Sequence, residues 1–171
     1  MEKWDDFFFL CGSSAAGLTG LMFIAVTFGF KLVTKENLAQ VNVFLSPFCF
    51  HFIQVFFFSC VAEIPITNTQ ALGGIVLLSS LWRSIKLIGS VKLMRVTSRY
   101  DAEIEFSDWI ICVYGPAFAF VALMGAGVGL IFQAQWAIYV FAVCLLTLLF
   151  IGTLGAWEML IWIATKIGQS Y

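Results

Sequence analysis

One histidine occurs in the chain, His51, in the middle of a long apolar run, with Gln54 one helical turn further on. An imidazole at that depth has three kinds of chemistry open to it. It can ligate a haem or chlorin, pass protons or ions, or hydrogen-bond across helices. No second histidine offers a bis-axial haem site. A neutral imidazole is inexpensive to bury once bonded, so a hydrogen bond near Gln54 or to a backbone carbonyl is the simplest expectation. Asn42, Ser46, Cys49 and Cys60 fall on the opposite helical face. Polar groups on both sides predict that this segment is enclosed in a bundle, and Asn42 joins His51 and Gln54 as an intramembrane polar candidate.

The charged residues form three further groups. Arg83, Lys86 and Glu158 fall near proposed span ends, where Glu158 is expected to pair with one of the cations, since an unpaired charge just inside lipid is costly. Asp5, Asp6 and Glu63 collect on the other side as an acidic rim of the kind that concentrates cations at a pore mouth. Lys92, Arg95 and Arg99 recur at i, i+3, i+7, which predicts a basic stripe on one face of a continued helix, suited to headgroups or an acidic partner.

None of these groups makes an enzyme. A single deep histidine excludes a serine–histidine–carboxylate set outside lipid, and paired carboxylates occur only in exposed segments, with no pocket to raise a pKa. Gly125–Gly129 reads GAGVG, but it lies inside an apolar run with no strand before it, which excludes a phosphate loop. Cys11, Cys49, Cys60, Cys112 and Cys144 show neither a CxxC pair nor a histidine at metal spacing. They read as small hydrophobes, with Cys11 and Cys60 close enough in topology to leave a disulfide open. No cofactor or metal is expected.

The elements that must position these residues follow from composition. Apolar residues make up 61% of the 171 and charged residues 11%, which is too little polarity to cover a water-facing surface. The net charge of −1 excludes a generic nucleic-acid binder. Crossing the hydrocarbon takes roughly 20 apolar residues, and such runs occur at about 7–30, 41–62, 71–90, 109–132 and 136–163. Continuous runs of this length satisfy their backbone as helices, whereas barrel strands would alternate over about ten residues. The expected fold is an all-α transmembrane bundle of about five spans. It forms one domain over 1–171, with tight turns near 64–70 and 133–135. The first run is too long, and its flank too acidic, for a cleaved signal peptide.

Two spans carry small residues four apart: Gly12, Ala16 and Gly20 in the first, and Ala122, Gly125 and Gly129 in the fourth, which a Gly115–Pro116 pair kinks or starts. Such faces let another backbone approach closely, either within the monomer or from another chain.

The opening Trp4–Phe8 (WDDFF) and the stretch Ala15–Val26 (AAGLTGLMFIAV) resemble the first helix of a broad group of small, uncharacterised bacterial membrane proteins. The resemblance implies a bacterial inner-membrane origin and carries over no activity. The class it leaves is a non-enzymatic membrane protein acting through helix assembly, a homo-oligomer that conducts ions or perturbs the bilayer. The alternatives are an accessory subunit of a larger membrane complex and a haem or pigment binder through His51. Beyond the lipid bilayer, the expected partners are copies of itself or other membrane subunits.

Lys and Arg resist translocation. Lys3 alone lies on the side of the N-terminus, while Lys31, Lys35, Arg83, Lys86, Lys92, Arg95, Arg99 and Lys166 lie on the other. This places the N-terminus outside and the C-terminus in the cytoplasm. A reporter fused after Tyr171 should therefore read as cytoplasmic, and a cysteine label at Asn68 should react from outside. Labelling of Asn68 only from the cytoplasm would reverse the topology.

Overall fold

A computed structural model describes residues 2–29, 38–64, 68–100 and 113–168. They form five helices: α1 Glu2–Gly29, α2 Leu38–Glu63, α3 Thr69–Tyr100, α4 Gly115–Ile131 and α5 Gln135–Gly168. The architecture is all-α. Trp4–Thr27, Thr69–Gly89 and Gln135–Glu158 are each long and apolar enough to cross a membrane, and Cys49–Glu63 and Gly115–Ile131 are shorter apolar helices. Residues 101–112, which include the expected start of the fourth span at 109, lie outside the described residues, as do Lys31 and Lys35. Pro116 stands in the first turn of α4, where its missing N–H costs nothing. The third helix runs unbroken for 32 residues, so the extension past residue 90 expected from the basic stripe is present.

The α4–α5 turn is tight because α4 ends in a Schellman motif. Ala134 N–H donates to Gly129 O, and Gln133 N–H donates to Leu130 O. Gln133 holds the left-handed position at φ 56, a place glycine usually takes.

The helices chain together in space as α1–α2–α5–α4–α3, with smaller contacts of α1 to α5 and of α2 to α3. Phe8, Phe58 and Phe141 meet at one end of α1, α2 and α5, with ring centroids 5.6 Å apart for Phe8–Phe141 and 5.8 Å for Phe58–Phe141. Met22, Phe52 and Ala156 form a second layer further along. The expectation that α2 is enclosed on all sides is corrected. Its His51 and Gln54 face is buried, but Phe50, Ile53, Phe57 and Cys60 are exposed. Cys60 and Cys11 are free thiols, which removes the disulfide option.

Glycines decide where the backbones meet. A methyl group placed on Gly73 would come within 2.7 Å of Gly127 O and 2.8 Å of Ile131 N, and one on Gly127 within 3.0 Å of Gly73 O. Of the small-residue faces expected from sequence, only part is used internally. Gly12 meets Ser59, and Gly129 meets Ala137 and Trp136, but Gly20 and Gly125 have nothing within 4 Å. Ala16 is exposed and Ala122 half-buried. At the Gly73–Gly127 seam backbone meets backbone, and spacing had not singled it out.

Gly73 and its neighbour Gly74 make a direct test. The Gly73→Ala methyl meets backbone that cannot rotate away, so about 1–3 kcal/mol of stability should be lost. Gly74 has open space around it. Gly74→Ala should be neutral or stabilising by up to about 1 kcal/mol, through helix propensity. Unfolding of each variant in a mixed-micelle titration reads the difference, and equal effects would contradict the seam.

Candidate functional site

The most polar place in the bundle is built by three helices. On α2, His51 and Gln54 point inward together with Val55 and Phe58. On α3, Val76, Ser80 and Arg83 recur at three- and four-residue spacing along the face turned to α4. On α4, Phe120 points into the bundle at 1% exposure. At about 1.5 Å per residue, His51 lies about 18 Å from the Glu63 end of α2. By the same rise, Arg83 lies about 21 Å from the Thr69 end of α3, and Phe120 about 17 Å from the Ile131 end of α4. By this rise the three share one layer of the bundle.

Phe120 is the common wall. Its ring centroid is 6.1 Å from that of His51 and 5.7 Å from the Arg83 guanidinium carbon, which also stands 4.8 Å over the Phe50 ring. Arg83 is within electrostatic reach of His51. Rings facing a guanidinium offset part of its desolvation, by about 2 kcal/mol when water is excluded. Arg83 had been expected near the membrane boundary. It is half-buried between rings, about 9 Å before the Gly89 end of the candidate span, and the α3–α4 seam holds its helix against α4.

The hydrogen bonding is incomplete. His51 is 1% exposed, yet neither Nδ1 nor Nε2 has a partner among the described residues. The hydrogen bond expected for His51 is therefore replaced by ring packing. Arg83 Nε and Ser80 Oγ are likewise buried and unpartnered among the described residues. Neighbouring serines behave differently. Ser79 Oγ donates to Ile75 O at 2.6 Å, and Ser84 Oγ to Ser80 O at 2.9 Å, the usual way a helix absorbs a hydroxyl. A haem macrocycle would need an open flank beside the imidazole, and Phe120 occupies one flank.

The other sequence candidates lie apart from this layer. Lys86 is exposed, with its ammonium 5.3 Å over the Trp82 ring. Glu158 is exposed on α5, about 35 Å from the start of that helix. Asp5, Asp6 and Glu63 are all exposed. The Gly12–Ser59 contact sets the start of α1 beside the end of α2, so these three carboxylates share one end of the bundle. The side chains of Asn42, Lys92, Arg95 and Arg99 lie outside the described residues. Ser80, Phe50 and Phe120 had not been singled out. The serine–arginine spacing of one turn inside an apolar run signals Ser80, and no sequence pattern signals Phe50 or Phe120.

Phe120→Ala should remove the wall shared by His51 and Arg83, at a cost of about 3–5 kcal/mol. Phe118→Ala, two residues away on the lipid side at 76% exposure, should cost less than about 1 kcal/mol. Detergent unfolding midpoints compare the two, and similar losses would contradict the packing described. Comparison with known protein families, curated proteins and solved structures returns no significant match for this chain.

Proposed function

We propose that this is a non-enzymatic membrane protein that works as an assembly of copies, with α1 as the joining helix. The carrying observation is the outward face of α1. Ser13, Ala16, Gly17 and Gly20 lie on one side of that helix and are all exposed, and a Cβ on Gly17 or Gly20 would meet nothing within 4 Å. Ser13 Oγ already donates to Phe9 O at 2.6 Å, so the face is flat and its hydroxyl is satisfied. Lipid-facing helices gain most from close contact through such residues. The neighbouring lipid faces are bulky by contrast. On α4 and at its C-cap, Phe118, Val121, Val128 and Phe132 surround Gly125, so Gly125 offers no comparable flat surface.

In this reading the protein resides in a bacterial inner membrane with its N-terminus outside. It acts as a homo-oligomer that conducts ions or perturbs the bilayer. Docking of the same face on a different membrane subunit is the second outcome to be distinguished.

Energy transfer between donor- and acceptor-labelled copies in liposomes tests it. Wild-type chains should show transfer that persists on lipid dilution. Gly17→Leu and Gly20→Leu should reduce it to the level of random proximity, with helix content unchanged. Unaltered transfer in both variants would remove α1 from the interface. No transfer in the wild type, with another membrane protein co-purifying, would replace the homo-oligomer by an accessory subunit.

A further inference from the structure

Around Arg83 three buried hydrogen-bond donors lack partners, and among the described residues no carboxylate stands at the level of its positive charge. Arg83 brings Nε–H, Ser80 a hydroxyl and a neutral His51 one ring N–H. All of these atoms are buried, and none has a partner among the described residues. The described acidic side chains, Asp5, Asp6, Glu63 and Glu158, are exposed, and by helix rise none stands at the level of Arg83. Asp5, Asp6 and Glu63 cluster at the bundle end from which Arg83 is about 21 Å removed, and Glu158 lies about 14 Å past it.

A guanidinium inside hydrocarbon costs at least about 2.5–3.5 kcal/mol. Faces of Phe50 and Phe120 offset part of this, but a ring face accepts no conventional hydrogen bond from Nε–H. An anion supplies what is missing: an acceptor for all three donors and a countercharge. Its size is limited by the packing, because His51 and Ser80 are 1% and 0% exposed and Phe120 1%. Its depth disfavours a phosphate carried on a lipid headgroup.

We propose that Arg83, His51 and Ser80 bind a small monovalent anion of halide size inside the membrane. Arg83 supplies the charge, while His51 and Ser80 donate hydrogen bonds that orient it. Phe120, at 1% exposure, closes the site on the α4 side, and contacts there are stronger than they would be at a surface. The inference is independent of how α1 assembles.

Binding of radiolabelled chloride to the full-length protein in nanodiscs of zwitterionic lipid tests this. Saturable binding of one chloride per chain is expected, competed by bromide and not by gluconate at constant ionic strength. Arg83→Gln should weaken it at least tenfold, and Ser80→Ala several-fold. If Arg83→Gln fails to fold, the wild-type protein still decides, because its thermal midpoint should rise in chloride or bromide relative to gluconate. No saturable chloride binding by the wild type, or binding unchanged in a folded Arg83→Gln, would overturn the proposal. Loss of chloride binding on adding phosphatidylglycerol, with that lipid retained by the protein, would assign the site to a headgroup phosphate and overturn the halide.

Discussion

Lipid tails are as apolar as the side chains they touch, so no hydrophobic force drives these helices together, and cohesion must come from close approach. Each main helix pair meets where a side chain is missing. Gly12 accepts Ser59 between α1 and α2, Gly152 lies under the Phe52 ring between α2 and α5, and Gly129 takes Trp136 and Ala137 between α4 and α5. Gly73 and Gly127 bring α3 and α4 into backbone contact. Interdigitated contacts such as Gly152 with Phe52 gain dispersion over a whole ring face. The space each glycine leaves is thus filled by a neighbour.

The buried polar layer depends on the same contacts. α3 is held mainly by α4 and only slightly by α2. Without the glycine seam its Arg83 would have no reason to enter the interior. The seam fixes the height and rotation of α3, and these set Arg83 over Phe50 and Phe120, beside His51. The charge is tolerated because two aromatic rings and neighbouring dipoles replace water. The unpartnered atoms of His51, Ser80 and Arg83 mark where that replacement is incomplete.

Among the described residues the five helices and their order were legible in the sequence, since run length marks a candidate span. The unbroken α3 was legible as well, from charges repeating at helical spacing beyond its apolar run. Which face of each helix turns inward was not. In water, polar residues mark the outer face, whereas in lipid both faces are apolar and the contrast vanishes. With polar residues on both faces, α2 likewise offered no contrast and read as enclosed, although Phe50, Ile53 and Phe57 face outward. For the same reason Gly73 could not be told from Gly74, or Gly127 from Gly125, although only one of each pair touches a neighbouring helix. His51 was visible as a candidate because it is alone in an apolar run. Its juxtaposition with Arg83 depends on the crossing of α3 and α4, a long-range fact that no local pattern encodes.

Close contact through absent side chains holds this chain together, and in the proposed assembly the outward face of α1 would extend the same device beyond one copy. Between 22% and 39% of each candidate span is covered by the rest of the chain, which leaves ample surface for partners. Native mass spectrometry of the wild-type particle, released from lipid nanodiscs, tests this most directly. A defined multiple of 19.0 kDa is expected, and a lone 19.0 kDa chain with nothing bound would contradict it.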